Sequence, residues 1–280
     1  GMQFAMKSYT PDAVFQYTPM SDSAGHTWMG FLDPDVPETD PKVREFYWRC
    51  YERVFQKQDA WLGKILDAVP AETVVTLVSD HGMEGVTRYA TINAILEKAG
   101  LLAFDKDGRL DLNLTQVCAP PWADFGLVVN TADRKGGVVP VGDKATVLRK
   151  ATAALLAARD ERGQPIVTAV LDAKQLRGLG IGGAAGADAF IDVALGYYPS
   201  TRKSDKFADV MPEPDGVHGF LPYRSKMHTV WFARGSGIAQ GVTLPMLRQV
   251  DIMPTLAAAL GFPAPPQAVG LVVGQALKKP

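Results

Sequence analysis

Residues 73–83 read TVVTLVSDHGM, an apolar and β-branched run that ends in a polar turn containing glycine. Such a run is typical of a strand buried on both faces of a parallel sheet with helices on each side. Before it, the apolar residues of 42–68 recur at three- and four-residue steps, which predicts a long amphipathic helix packed on the core. Residues 12–18, DAVFQYT, form a further β-rich run, and the polar segment at 21–26 after it is predicted to be a loop. The three segments together predict a strand–helix–strand unit with a right-handed crossover.

The pattern of predicted elements changes after a helical segment at 91–100. The following hundred residues contain short strand candidates, one helix candidate and a glycine-rich stretch, which predicts a smaller α+β subdomain. These segments are strands at 126–130, 166–170 and 190–195, a helix at 144–158 and glycines at 178–186. A strand at 228–233 and a helix at 251–261 then indicate a return to the first part. We therefore predict an α/β fold, with a mixed, mainly parallel sheet flanked by helices and an inserted subdomain. The expected divisions are a core at 1–101, a cap at 102–205 and a return to the core at 206–280.

The overall composition excludes several classes of protein. Hydrophobic residues make up 47% and charged residues 21% of the chain, a balance typical of soluble globular proteins. The 29 basic and 30 acidic residues give a net charge of -1, so the overall charge does not favour a nucleic-acid polymer as partner. No uninterrupted apolar stretch reaches the roughly 18 residues of a membrane span. We expect a small-molecule partner.

Three of the four histidines follow or precede predicted strands in polar segments that contain glycine. Asp22 precedes His26 by four residues, so one helical or turn-like excursion brings a carboxylate and an imidazole to the same side. Asp80 and His81 are adjacent at a strand end, where Gly82 lets the chain bend so that both can converge. Asp22 and Asp80 could instead cap turns. Because the strand–helix–strand unit would place both loops at one sheet edge, we expect a metal site with oxygen and nitrogen ligands there.

Four motifs carry a resemblance to a known family. They are DSAGH at 22–26, SDHGM at 79–83, GVHGF at 216–220 and VDIMPTL at 250–256. In this order they resemble the type I phosphodiesterase/nucleotide pyrophosphatase family of the alkaline phosphatase superfamily. The resemblance implies hydrolysis of a small phosphodiester or nucleotide by two zinc ions, and a periplasmic or extracellular location. It also implies that Asp22, His26 and His218 bind one zinc ion, while Asp80 and His81 bind the other.

The chain departs from the family pattern ahead of Asp22. In that family an upstream segment supplies a further aspartate ligand and a Thr or Ser nucleophile, whereas Ser8, Thr10 and Thr18 stand in no recognisable nucleophile setting. We therefore expect the chain to be the C-terminal part of a longer protein, with its catalytic nucleophile unidentified and its second zinc site incomplete. Alone, it should be inactive or weakly active. It should also expose an apolar edge of its core sheet, through which it could self-associate.

The residues after His218 include candidates for substrate binding. Tyr223, Arg224 and Lys226 follow the His218 loop, and one of them could face a substrate anion. Tyr223 and His228 are the two positions we assign to substrate.

Two other functions remain open at this point. Relatives of cofactor-independent phosphoglycerate mutase also carry Asp-x-x-Gly-His and Asp-His-Gly loops. Alternatively, the chain is a non-catalytic metal-binding module that kept the fold. Met83 and the motif at 250–256 favour the phosphodiesterase interpretation.

Overall fold

The structure is a computed structural model, and it describes residues 4, 8–9, 11–36, 39–182 and 186–279. It divides into two compact units. Unit 1 comprises Gly1–Thr18, Arg53–Asp80 and Thr229–Pro280, and unit 2 comprises Pro19–Glu52 and His81–His228.

The chain contains both helices and strands, which do not follow a regular alternation. The helices are α1 (Met20–Leu32), α2 (Pro41–Leu66), α3 (Ile92–Lys98), α4 (Lys144–Ala157), α5 (Ala173–Gly178) and α6 (Ile252–Ala259). The strands are β1 (Val75–Val78), β2 (Glu84–Thr91), β3 (Val117–Cys118), β4 (Gly126–Val129), β5 (Val167–Asp172), β6 (Ala189–Val193), β7 (Tyr197–Ser200), β8 (Ala208–Val217) and β9 (Trp231–Arg234). Among the described residues, no helix is both long and apolar enough to cross a lipid bilayer.

Unit 2 contains two sheets around one core. In the first sheet, β2 pairs in parallel with β7 and antiparallel with β8, so that Glu84 lies opposite Val217. The second sheet has the order β3-β4-β6-β5, and its pairings are antiparallel. Fully buried side chains from both sheets and from α3 and α4 form one cluster, which includes Val86, Leu96, Leu127, Leu155 and Ile191. Residues on both sides of the predicted 101/102 division therefore share one core.

Unit 1 contains a two-stranded antiparallel sheet of β1 and β9. Leu77 and Phe232 lie opposite each other on it, and they are 38% and 63% exposed. The prediction that 73–79 is buried on both faces of a parallel sheet is wrong. Among the described residues β1 pairs only with β9, which runs antiparallel to it. Self-association through an exposed apolar edge stays a prediction.

The first predicted strand, at 12–18, is wrong. Its side chains Phe15 and Tyr17 are 93% and 70% exposed, and no described strand pairs with this segment. The strand–helix–strand unit is therefore wrong as well. Residues 21–26, predicted as a loop, lie in α1, because Ala24, Trp28 and Leu32 recur every four residues and give a helical stripe.

The mixed α/β class is confirmed, but the predicted predominance of parallel pairing is wrong. Of the six pairings between strands in the described part of the chain, only β2–β7 is parallel. Antiparallel pairs need no crossover helix, which is why short strands joined by short connections can form them. The helices predicted at 91–100, 144–158 and 251–261 are confirmed, as are the strands predicted in the middle of the chain. Residues 183–185 of the glycine-rich stretch lie outside the described residues, as does Thr10.

The long helix predicted at 42–68 is confirmed as α2, but its burial differs from the expectation. Phe46 and Phe55 are 61% and 50% exposed, and Ile65 is the residue of α2 that is buried. In unit 2, Tyr47 of α2 stacks on Phe31 of α1 with ring centroids 4.6 Å apart. The N-terminal half of α2 therefore contacts α1 through Tyr47, whereas Phe46 and Phe55 largely face solvent.

Candidate metal centre

Asp22 and His26 occupy successive turns of α1 in unit 2. The four-residue spacing puts both side chains on one face of the helix, with Asp22 Oδ1 3.6 Å from His26 Nε2. This pairing of a carboxylate oxygen with an imidazole nitrogen is the one predicted from the sequence, although a helix rather than a loop creates it.

The register of β2 and β8 brings two further histidines to the same place. Glu84 opens β2 and lies opposite Val217, the last residue of β8. Because the strands are antiparallel, the chain before β2 and the chain after β8 leave the sheet at the same end. The rings of His81 and His218 consequently stack with centroids 3.7 Å apart and planes 19° apart, and His26 lies 5.0 Å from His218.

Close packing between α1 and β8 holds the helix against these loops. A side chain at Gly216 would place its Cβ 2.0 Å from the carbonyl oxygen of Gly25. The absence of that side chain lets His26 Nδ1 approach the Gly216 carbonyl oxygen to 2.6 Å. Glycine at 216 is therefore required for the contact that orients His26.

We expect Gly216→Ala to lower the free energy of unfolding by about 1–3 kcal/mol, because the new methyl group overlaps backbone atoms of α1. Gly142→Ala is the matched control, since a Cβ there meets no atom within 4 Å. Urea unfolding of both variants measures the difference. Equal stability of the two variants would contradict the close packing of α1 on β8.

Two of the rings are oriented by backbone carbonyls. His26 Nδ1 contacts the carbonyl oxygen of Gly216, and His81 Nδ1 contacts that of Gly82 at 3.0 Å. A carbonyl oxygen only accepts hydrogen bonds, so Nδ1 of each ring is the protonated donor. In a neutral ring, Nε2 is then the unprotonated nitrogen, which is the usual tautomer of a histidine that ligates a metal.

Asp22 Oδ1 lies at the centre of the cluster. It is buried and has no hydrogen-bond partner among the described residues. Nε2 of His26, His81 and His218 lie 3.6, 3.8 and 3.9 Å from it. A buried carboxylate oxygen without a partner is costly unless a cation compensates it.

The donor set fits a zinc ion. One carboxylate oxygen and two imidazole nitrogens, from Asp22, His26 and His218, all lie within 4.8 Å of one another. Three such ligands are the protein complement of many catalytic zinc sites, which leave a further position for water or substrate. The side chains of the cluster are 28–42% exposed, so a small ligand can reach them.

Comparison with known proteins identifies the family. Residues 2–221 match the family model described as type I phosphodiesterase / nucleotide pyrophosphatase. The chain belongs to this family. The match favours the phosphodiesterase interpretation over the mutase alternative.

Three solved structures illustrate the shared fold. Human ectonucleotide pyrophosphatase/phosphodiesterase 5 is 18% identical with a TM-score of 0.51, over 92% of this chain and 56% of that one. The murine protein of the same name is 19% identical with a TM-score of 0.51, over 88% and 53%. A multiply substituted alkaline phosphatase PafA is 17% identical with a TM-score of 0.53, over 92% and 46%. The chain thus spans about half the length of these proteins. A comparison with curated protein sequences gives no match.

Three further site residues were predicted for this phosphodiesterase family member, namely Asp80, Tyr223 and His228. Asp80 is the last residue of its segment in unit 1, just after β1. Tyr223 is 59% exposed, and its hydroxyl donates a hydrogen bond to Asp192 at 3.0 Å. Burial and the Asp192 carboxylate raise the pKa of Tyr223. His228 is exposed and follows the turn Ser225–Met227, and it is not one of the residues that surround Asp22.

The prediction that Arg224 or Lys226 faces a substrate anion is not supported, because both cations are already paired with carboxylates. Arg224 binds Glu84 and Asp192, and Lys226 binds Asp33 and Asp35. Sequence reasoning missed these partners because they are 32 to 193 residues away, and a single sequence carries no signal for such pairings. Glu84 opens β2, a strand that the sequence analysis does not predict, so no local pattern marked this carboxylate as a partner.

Proposed function

We propose that this chain is part of a zinc-dependent hydrolase of small phosphodiesters or nucleotide pyrophosphates, with Asp22, His26 and His218 as ligands of one ion. The observation that carries the proposal is the buried oxygen of Asp22 among three imidazole nitrogens. Membership of the type I phosphodiesterase / nucleotide pyrophosphatase family supports the reaction class. The resemblance also leads us to propose a periplasmic or extracellular location.

The protein's own residues prepare the site in two ways. The Gly216 carbonyl fixes the proton of His26 on Nδ1, so that Nε2 is available as a ligand without reorganisation. Asp22 supplies a negative charge whose oxygen is already desolvated. Bound zinc would act as a Lewis acid that stabilises negative charge on a phosphoryl oxygen.

We propose that Asp80 and His81 contribute to a second zinc ion, which binds more weakly than the first. His81 Nδ1 contacts the Gly82 carbonyl, which orients the ring. Two protein ligands hold zinc less tightly than three. The nucleophile would come from a segment upstream of this chain, as the family resemblance implies. The chain alone should therefore turn over slowly, since a nucleophile and its cations act as one unit.

Hydrolysis of bis(p-nitrophenyl) phosphate and of a p-nitrophenyl nucleotide ester tests the proposal. The assay compares this chain, a chain extended upstream in its natural reading frame, and the extended chain with His218→Ala. We expect fast zinc-dependent turnover by the extended chain, slow turnover by this chain, and a loss of about 100-fold or more with His218→Ala. Lys150→Met, an exposed change on α4, is the control.

Three results of this assay would contradict parts of the proposal. Turnover by the extended chain that survives both a chelator and His218→Ala would contradict the proposal. No turnover by either chain would favour the non-catalytic alternative. Equal zinc-dependent turnover by the two chains would show that the nucleophile lies within these 280 residues.

A further inference from the structure

The segment that follows His218 carries a lysine held between two aspartates. Lys226 Nζ lies 2.6 and 2.7 Å from the two carboxylate oxygens of Asp33 and 2.6 Å from Oδ2 of Asp35. The side chain of Asp33 is 2% exposed and that of Lys226 is 21% exposed. The pair is therefore largely shielded from solvent, where an ionic contact fixes geometry more firmly than at the surface.

Asp33 also connects two of the segments that build the candidate metal centre. It is the C-cap residue directly after α1, the helix that carries Asp22 and His26, and its backbone N–H donates to the carbonyl oxygen of Met29. Its Oδ2 accepts a hydrogen bond of 2.8 Å from the backbone N–H of Gly85, at the start of β2. One carboxylate thus joins the C-terminal end of α1 to the strand that follows His81.

The turn that contains Lys226 packs directly beside His81. The Gly82 N–H donates to the carbonyl oxygen of Met227 at 3.2 Å. A side chain at Gly82 would bring its Cβ to 1.9 Å from the Lys226 carbonyl oxygen, so only glycine permits this approach. Lys226, which lies in the segment after His218, therefore contacts Asp33 next to α1 through its side chain and Gly82 next to His81 through its backbone.

We infer that Lys226 and Asp33 are positioning residues that hold α1, the His81 turn and the segment after His218 in the register that metal binding requires. The inference rests on the proposed function. Neither residue is placed among the metal ligands. Burial lowers the pKa of Lys226, but hydrogen bonds and the charges of Asp33 and Asp35 more than offset this and raise it, so the ammonium group stays charged.

Zinc titration with a competing chromophoric chelator tests the inference. We expect Lys226→Met to weaken the binding of the first zinc ion about tenfold, and Lys226→Arg to retain most of it. Lys150→Met makes the same chemical change on the exposed side of α4 and should leave zinc affinity unchanged.

Because Lys226→Met leaves Asp33 buried without its cation, the double variant Asp33→Asn/Lys226→Met is measured as well. Its asparagine still accepts the Gly85 hydrogen bond, so it should recover stability while zinc affinity stays low.

A second readout needs no metal. The chain has four histidines, so long-range ¹H–¹⁵N spectra of the metal-free protein can report the ring tautomer of each one. We expect Nδ1-protonated rings for His26 and His81 in the unaltered protein, and a mixture of tautomers for His81 in the double variant. Lys150→Met should leave the spectrum unchanged.

The outcomes separate this inference from the proposed function. If Asp22→Asn abolishes zinc binding but the double variant keeps full affinity, positioning by Lys226 is overturned and the metal site stands. If the double variant recovers affinity together with stability, Lys226 is only structural and the inference is again overturned. If the unaltered chain does not bind zinc but the double variant alters the His81 tautomer, the proposed function fails and the positioning role is supported.

Discussion

Replacing Arg224 by methionine should lower the free energy of unfolding by about 3–5 kcal/mol, a loss that few single substitutions reach. The Arg224 guanidinium donates to both oxygens of Glu84 at 3.0 and 3.1 Å, and to Asp192 at 2.8 Å. It also donates to the Val193 carbonyl and lies over the Phe220 ring at 4.2 Å from its centroid. The Glu84 side chain is 0% exposed and that of Asp192 is 3% exposed. Methionine would leave two buried carboxylates without their shared cation.

Arg49→Met is the control for this prediction. Arg49 also pairs with a carboxylate, Glu45, but the two side chains are 71% and 63% exposed. Such a surface pair contributes about 0.3–0.5 kcal/mol. Urea unfolding at neutral pH should therefore separate the two variants by several kcal/mol. Similar losses for both would contradict the buried network.

The pH dependence of the loss gives a second check. Burial raises the pKa of Glu84 even though Arg224 lowers it in part, so removal of Arg224 should raise it further. A carboxyl group with a raised pKa in the folded state favours the folded state below its ordinary pKa, and this contribution is lost as pH rises through the folded value. The variant should therefore recover part of its stability as pH falls from about 7 to about 5. A loss independent of pH would indicate that Glu84 does not respond to Arg224.

Asp22→Asn should have effects of opposite sign on metal binding and on the metal-free fold. Zinc affinity should fall about 100-fold or more, since a neutral amide replaces the charged ligand. The metal-free protein should gain about 1–2 kcal/mol, because a buried carboxylate oxygen without a hydrogen-bond partner is removed. The new amide can donate to a neighbouring unprotonated Nε2.

Thermal unfolding with and without zinc measures both effects. At a free zinc concentration of about 100 times the dissociation constant, the unaltered protein should gain about 2.7 kcal/mol, and Asp22→Asn should gain almost nothing. Asp12→Asn, in the exposed segment before α1, is the matched control. A metal-free Asp22→Asn protein less stable than the unaltered one would show that the carboxylate has a structural role.

The metal-site candidates could be predicted from residue type and local spacing, but the strand pairing that brings them together could not. The four-residue step from Asp22 to His26 places both side chains on one side in a helix and in a turn alike. Their predicted proximity is therefore correct even though 21–26 was wrongly predicted to be a loop. The convergence with His81 and His218 depends on the antiparallel register of Glu84 with Val217. That register is a long-range pairing, and the predicted strand–helix–strand unit gave a different reason for the same convergence.

Strand burial was the least predictable feature. An apolar run such as 73–79 indicates a buried strand only if other elements cover it, and in the structure Leu77 and Val78 are 38% and 46% exposed. Elements with strong local signals were predicted correctly, such as α4, which spans Lys144–Ala157 where the sequence predicts a helix at 144–158. The Lys226 and Arg224 ion pairs join residues up to 193 positions apart, beyond the reach of any local pattern.

X-ray absorption at the zinc edge, on the chain loaded with one equivalent of zinc, tests the central claim most directly. We predict a first shell of nitrogen and oxygen at about 2.0–2.1 Å, without sulfur and with the multiple scattering of two or more imidazoles. His218→Ala should lower the imidazole count by one, and His228→Ala should leave it unchanged. A spectrum that is the same in the unaltered protein and in His218→Ala would contradict the assignment of Asp22, His26 and His218 as the metal centre.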